Sequence, residues 1–321
     1  MMEGFVKLIS NRFPVIPDMF VQADHRSPLS PASSHIGFAL LVAVSLLISS
    51  GALRSTFAIS LNHDEYAHII LIFPSSAALM FFALRSRELR REPNVFIGST
   101  LLGLAFTIGF IGANWWGLQT DVQLSLKMLA LVIWWIGAFV RCFGTRASRS
   151  FLFPLFFLFW LVPLPEFVLN GIVSLLQQGS AYMAHLLFSV AGVPVEKDGV
   201  VLSIPGLTIE VAKNCSSIRS STILWVTTMV LAQLLLRSPW NKALVIVASI
   251  PLAVAKNGLR IFAIAMLTIR VDPAFMTGEL HHDGGIVFFM FSLIAVFVLL
   301  WMLRRAEGHV AAEASLNPVR L

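Results

Sequence analysis

The sequence predicts an all-α polytopic membrane protein with about eight transmembrane helices, plus an interfacial helix and a small β-meander on the outer face. Of its 321 residues, 57% are hydrophobic and only 12% are charged, which is too apolar for an ordinary water-soluble domain. Apolar runs of about 20 residues, the length that crosses a hydrocarbon core roughly 30 Å thick, recur along the chain. The lipid bilayer is therefore the expected solvent.

Each apolar run is bounded by charged or turn-forming residues, and each bounded run predicts one span. The fourth and fifth spans are the shortest, because Lys127 trims one and Pro163 with Pro165 ends the other early. The predicted spans cover residues 36–53, 66–84, 95–113, 124–140, 150–164, 215–236, 243–269 and 285–303.

The positions of Lys and Arg predict the orientation, because cation-rich connections stay in the cytoplasm. Alternate connections are rich in these residues, and both termini are therefore predicted to be cytoplasmic. The formal charge of +6 is explained by this topology, so no nucleic-acid partner is expected. The cation-rich connections hold Lys7, Arg12, Arg26, Arg85, Arg87, Arg90, Arg91, Arg141, Arg146, Arg149, Arg237, Lys242, Arg304 and Arg305.

These patterns divide the chain into three segments. Residues 1–35 form a cytoplasmic N-terminal segment that lacks the compact apolar core of a cleaved signal peptide. Residues 36–303 form the transmembrane domain, and residues 304–321 form a cytoplasmic tail.

The longest connection, residues 165–214, is predicted to lie on the outer side of the membrane. Its first half has the mixed polar and apolar stripes of an amphipathic interfacial helix. Its second half changes period, with two short β-type runs on either side of Pro205-Gly206. A small β-meander is therefore predicted directly before Cys215.

The two cysteines, Cys142 and Cys215, lie far apart, so neither a disulfide framework nor a CxxC metal site is indicated. Asn214 is a suitable N-cap for the sixth span, which would put Cys215 in the first helical turn, where free N–H groups and the helix dipole favour a thiolate. Lys213 and Arg219 would add positive charge nearby. The alternative is a buried cysteine acting as a small hydrophobic residue, an interpretation that fits Cys142.

The seventh span carries Lys256, Asn257 and Arg260 within an apolar stretch, where ionisable groups are costly unless they face a polar cavity. Asn257 and Arg260 are three residues apart and share a helix face, so both are candidates for one site. One alternative is an arginine that snorkels to the interface. Another is a transporter or channel whose polar path is lined by these three residues, although the matching broken helices of such proteins are not evident.

The last outer connection carries His281 and His282, followed by Asp283, on the predicted side of Cys215. A cysteine with a histidine is the minimum needed to activate a thiol nucleophile. A solvated loop or a metal cluster are the alternatives, but two further ligands at suitable spacing are lacking, and no metal or other cofactor is predicted. A serine protease or a zinc protease is not favoured, because no GxSxG or HExxH motif occurs.

Three segments of the sequence resemble the signature motifs of the exosortase and archaeosortase family. They are residues 211–220 around Cys215, Asn257-Gly258-Leu259-Arg260-Ile261, and His281 followed by Gly285 and Val287-Phe288-Phe289. The resemblance extends over roughly residues 60–300, and faintly includes Glu65-Tyr66-Ala67-His68. A histidine in the third motif is typical of the bacterial exosortases.

The resemblance implies a membrane-embedded cysteine protease or transpeptidase at the outer face of the cytoplasmic membrane. Such an enzyme cuts a C-terminal sorting signal, a short Pro-Glu-Pro-like motif with a transmembrane helix and a basic tail, from exported proteins. Those proteins and the surrounding membrane lipids are thus its expected partners. We expect Cys215 to be the nucleophile, Arg260 to stabilise the oxyanion or orient the substrate, and His281 to transfer the proton. Arg219, Asn257 and His282 are expected to bind substrate or support the site, and His282 is the rival base.

Overall fold

The computed structural model describes residues 31–86, 92–115, 117–211, 218–276 and 285–316. The described chain is built of α-helices and one small antiparallel sheet, as predicted. The helices are α1 (Pro31–Ile48), α2 (Ser50–Asn62), α3 (Ile69–Ser86), α4 (Val95–Asn114), α5 (Thr120–Ser150), α6 (Leu152–Phe157), α7 (Glu166–Val190), α8 (Ile218–Leu235), α9 (Pro239–Arg270) and α10 (Gly285–Leu316). Short 3₁₀ helices lie at Asp64–Tyr66, Leu158–Leu161 and Pro273–Met276, and the strands are β1 (Glu196–Asp198), β2 (Val201–Ile204) and β3 (Leu207–Glu210).

Six helices in the described part of the chain are long and apolar enough to cross a membrane, and the count rises to eight if each of two bent helix pairs is one span. The predicted fold class is therefore confirmed. The first predicted span, 36–53, covers most of α1 and the first turn of α2, and the two helices meet at a bend of 70°. The fifth predicted span ends at Leu161, and α7 begins after Pro163 and Pro165. Two prolines in three residues interrupt the helical hydrogen bonds, which explains why the helix ends there.

The first compact unit comprises Met1–Ala58 and Ile69–Leu164. Its centre is the antiparallel pair of α4 and α5, whose backbones approach closely at glycines: Gly98 lies against Arg141, and Gly112 lies against Leu126. The indole of Trp135 donates a hydrogen bond of 2.9 Å to Ser45 of α1. Glycine contacts and indole hydrogen bonds therefore hold these apolar helices together, as is typical of helix packing in membranes.

Helix α5 extends beyond the predicted span 124–140 and contains a local break at Gly144. Gly144 has φ +87°, and a Cβ atom there would lie 1.7 Å from the carbonyl oxygen of Glu92. The Glu92 carboxylate in turn accepts a hydrogen bond of 2.6 Å from Arg146, on the turn that follows the break. Only glycine fits this conformation and this contact.

The second unit comprises Ile59–His68 and Pro165–Leu321. Its helices α8, α9 and α10 pack through one apolar core, and α7 packs along α9. The strands form the predicted meander in the order β1-β2-β3, and both tight turns contain a glycine with positive φ, Gly199 and Gly206. Helix α10 continues to Leu316, past the predicted end of its span at residue 303.

Helix α7 follows the helix predicted for the first half of the long connection, but its buried stripe includes polar residues. Val173, Ala181 and Phe188 are buried together with Ser180, while Tyr182 on the opposite face is exposed. The buried stripe of α7 thus includes a polar residue that contacts another helix, since Ser180 accepts a hydrogen bond from Asn257 of α9. The outer-face position of α7 and the meander stays a prediction.

Replacing Gly98 by Ala should destabilise the protein by about 1–3 kcal/mol, because the added Cβ would lie 2.4 Å from the Arg141 Cβ and force α4 away from α5. Thermal unfolding in detergent, followed by tryptophan fluorescence, measures the change. Gly103→Ala is the matched control on the same helix, since no atom lies within 4 Å of its added Cβ. It should leave stability unchanged or raise it by up to about 1 kcal/mol. Equal behaviour of the two variants would contradict the close approach.

Candidate active site

The structure describes three of the six predicted site residues. Arg219, Asn257 and Arg260 all lie in the second unit, on α8 and α9. Cys215, His281 and His282 lie outside the described residues. The candidate site is therefore described through the residues that precede and follow these three in the sequence.

The chain that leads to Cys215 is fixed at Val211, the residue after β3. Val211 is fully buried, and its carbonyl accepts a hydrogen bond of 2.7 Å from the Gln177 side chain of α7. Its side chain belongs to an apolar core that also contains Phe188 and Ile261. The residue four positions before Cys215 therefore shares a core with the residue that follows Arg260.

The chain that follows Cys215 is fixed at the start of α8. Ile218 is buried, and the Ser220 hydroxyl accepts a hydrogen bond from the Lys256 ammonium of α9. Lys256 lies four residues before Arg260, which is about one helical turn. Both flanks of the cysteine segment thus contact the same stretch of α9, and this stretch contains Arg260.

Arg219 forms an ion pair with Asp64, whose carboxylate lies 2.9 Å from the guanidinium. Both side chains are more than half exposed, so the pair contributes little to stability. It does, however, tie the 3₁₀ helix Asp64–Tyr66 to the first turn of α8. The sequence suggested that Arg219 supplies positive charge near the thiol, and part of that charge is balanced by Asp64.

Arg260 is half-buried, and its Nε atom is shielded from solvent. One turn earlier, Asn257 is 1% exposed and donates a hydrogen bond of 3.0 Å to the Ser180 hydroxyl of α7. Gly258 permits this contact, because a Cβ there would lie 2.6 Å from the Met183 Cβ. Asn257 therefore holds α9 against α7 and fixes the turn from which Arg260 projects.

A hydrogen-bonded anchor joins α8, α9 and α10 at the ends that lie far from Arg260. The Glu307 carboxylate of α10 accepts hydrogen bonds from the backbone N–H groups of Arg237 and Ser238, at 2.8 and 2.9 Å, and from the Asn241 side chain at 2.8 Å. These donors include the first residues of α9 and the turn before it. The anchor therefore fixes the end of α8, the start of α9 and the far part of α10 at one level.

The candidate site lies at a similar distance from this anchor along all three helices. Ile218 is 19 residues before Arg237, Arg260 is 19 residues after Asn241, and Phe288 is 19 residues before Glu307. At about 1.5 Å of rise per residue, each lies roughly 28 Å from the anchor. The start of α8, Arg260 and the first turn of α10 thus lie at a similar distance from the anchor. In the sequence, Cys215 comes shortly before α8 and His281 comes shortly before α10.

Sequence reasoning missed Asp64 and passed over His68. Asp64 directly precedes the Glu65-Tyr66-Ala67-His68 segment, and its ion pair joins two residues 155 positions apart. His68 is buried, with 6% of its surface exposed. A lone carboxylate beside a weak motif gives no signal by itself, because its partner is set by tertiary packing.

The apolar helices that are long enough to cross a membrane define a polytopic membrane protein. A family model described as "Transmembrane exosortase (Exosortase_EpsH)" matches residues 59–298. The match covers most of the chain, and the protein belongs to this transmembrane exosortase family, as its motifs indicated. No curated protein and no solved structure matches the chain significantly.

Replacing Gln177 by Met should lower stability by about 1–2 kcal/mol, because the buried Val211 carbonyl would lose its side-chain donor. Gln178→Met is the matched control, since the neighbouring exposed amide bonds to Ser174 on its own helix. That change should cost less than about 0.5 kcal/mol. Thermal unfolding of both variants in detergent tests the difference, and an equal loss would show that Gln177 does not fix the end of the meander.

Proposed function

We propose that the protein is a membrane-embedded cysteine protease or transpeptidase that cleaves C-terminal sorting signals of exported proteins. The observation that supports this best is the convergence of both flanks of the Cys215 segment on the α9 stretch that carries Arg260. Val211 shares a core with Ile261, and Ser220 bonds to Lys256. Membership of the exosortase family supports the same class of reaction.

In the proposed reaction, the Cys215 thiolate attacks the carbonyl carbon of the scissile peptide bond. The carbonyl oxygen becomes an oxyanion, and the Arg260 guanidinium stabilises its charge by hydrogen bonding. When the carbon–nitrogen bond breaks, His281 delivers to the leaving amine the proton that it took from the thiol. The thioester on Cys215 is then attacked by water or by an acceptor nucleophile, which releases the thiol.

The remaining site residues have supporting roles in this proposal. Asn257 holds the α9 turn before Arg260 through its bond to Ser180, and Arg219 fixes the first turn of α8 through Asp64. His282 is adjacent to His281 in sequence and is the rival base. The spacing to Gly285 favours His281, because it matches the third motif of the family.

The proposal places the site at the outer face of the cytoplasmic membrane, with both termini in the cytoplasm. The alternation of cation-rich connections supports this orientation. A substrate tail with a transmembrane helix would then enter from the membrane, with its cleavage motif at the outer surface. The transporter alternative is less well supported, because Lys256 and Asn257 are used in helix–helix hydrogen bonds.

Cys215→Ala should abolish cleavage of a co-expressed protein that carries a Pro-Glu-Pro-like motif, a transmembrane helix and a basic tail. Mass spectrometry of the substrate's new C-terminus measures the reaction. Cys142→Ala is the matched control, because Cys142 is buried in an aromatic cluster of the first unit and should be dispensable. Normal processing by Cys215→Ala, with the protein present in the membrane, would refute the proposed nucleophile.

The same assay separates the partners of the thiol. Arg260→Gln and His281→Ala should each reduce cleavage by at least about 100-fold, the usual cost of losing an oxyanion donor or a general base. His282→Ala should retain most activity. If His282→Ala is inactive and His281→Ala is active, the roles of the two histidines are reversed.

A membrane-impermeant maleimide should label the Cys142→Ala variant in intact cells with a permeable outer envelope. The remaining Cys215 is proposed to face outward as a reactive thiolate, and thiolates react with maleimide far faster than thiols. The Cys215→Ala variant should stay unlabelled, because Cys142 is buried. Labelling that requires prior disruption of the cytoplasmic membrane would contradict the proposed orientation.

A further inference from the structure

The first unit contains a groove of about 900 Å³ that is lined by α1, α2, α4 and α5. Most of its wall is apolar, and Phe106, Phe110 and Trp134 contribute the largest side chains. Phe106 and Phe110 are more than half exposed, so the groove opens on the lipid-facing side of α4. An apolar groove that opens on lipid is in contact with hydrocarbon.

The amide and ammonium side chains of the groove lie toward one end, where α4 finishes at Asn114 and α5 begins at Thr120, and Gln123 lines this end as well. The hydroxyl groups of Ser45, Ser49 and Ser55 on α1 and α2 also line the groove. From Thr120 to Trp134 the groove follows 14 residues of α5, or about 21 Å. One leaflet of a bilayer has a hydrocarbon depth of about 15 Å, so the groove has the length of a single lipid molecule.

Lys127 lines the groove two turns inside α5. Within the described residues its ammonium has neither an ion pair nor a hydrogen bond. A cation at this depth in an apolar wall is costly unless an anion reaches it. The flexible lysine side chain can direct its charge toward the end lined by Asn114 and Gln123 while its methylene groups remain on the groove wall.

We propose that this groove binds one anionic phospholipid, whose phosphate pairs with Lys127 and whose acyl chain lies along Phe106, Phe110 and Trp134. Cationic side chains between transmembrane helices attract the anionic headgroups of acidic lipids. The charge of the phosphate complements the lone cation, and the apolar wall accepts the chain. The site is separate from the proposed thiol chemistry and does not depend on it.

A polypeptide helix is a poorer occupant of the same groove. A helix of apolar residues would cover the groove wall but would bring no anion to Lys127. A free inorganic anion would pair with Lys127 but would leave the apolar wall uncovered. The phospholipid is the ligand whose phosphate matches Lys127 and whose acyl chain matches the apolar wall.

Native mass spectrometry of the full-length protein in detergent tests the proposal. We expect phosphatidylglycerol to be retained in preference to phosphatidylcholine with the same acyl chains, with one molecule held most tightly. Lys127→Gln should weaken that retention about fivefold or more, and Lys127→Arg should preserve it. Inorganic phosphate at the same concentration should not displace the lipid.

Two further variants distinguish the groove from general surface charge. Arg54→Gln removes an exposed cation on α2 that does not line the groove, and it should leave phosphatidylglycerol retention unchanged. Ala113→Phe keeps the charge of Lys127 but fills the groove from an exposed lining position, and it should reduce retention. Equal retention of the two lipids by the unmodified protein would overturn the proposal, as would equal losses in Arg54→Gln and Lys127→Gln.

Discussion

The second unit depends on the polar contacts of α9, because a helix in a bilayer gains no hydrophobic stabilisation from meeting another helix. Lys256 and Asn257 stand next to each other, and they bond to two different helices, α8 through Ser220 and α7 through Ser180. Few other arrangements of these helices would satisfy both groups. The same two bonds orient the turn that carries Arg260, so the forces that specify the packing also fix the candidate site.

The first unit is held together differently. Its α4 and α5 approach through glycines spaced along both helices, and the bulk of the contact is van der Waals packing. Aromatic rings fill the space around Cys142, where Phe38, Phe139 and Phe143 contact one another. This cysteine serves as a small apolar residue in a dense cluster, whereas the segment of the other cysteine follows a sheet and precedes a helix.

Much of the fold could be predicted from the sequence, because bilayer thickness sets the length of each apolar run and β-turn residues mark the meander. Pro205-Gly206 indicated the turn between β2 and β3 correctly. The bend between α1 and α2 was not predicted, although it falls at Ser49-Ser50-Gly51, the kind of Gly/Ser sequence at which helices kink. For the site, the type and order of the motif residues were readable, but the partners were not. That Arg219 meets Asp64, or that Gln177 meets Val211, depends on tertiary contacts that local patterns do not encode.

The bond network of Glu307 gives the residues after the last predicted span a structural role. A single carboxylate there satisfies two backbone N–H groups at the α8–α9 turn, and such groups at a helix start have no partner within the helix itself. Glu307 therefore joins α8, α9 and α10 at the end of the bundle that lies away from Arg260. For protein production, an affinity tag or a truncation is therefore better placed after Leu316 than near residue 303, the predicted end of the last span. A truncation at residue 303 would remove Glu307 and with it the anchor that aligns three helices.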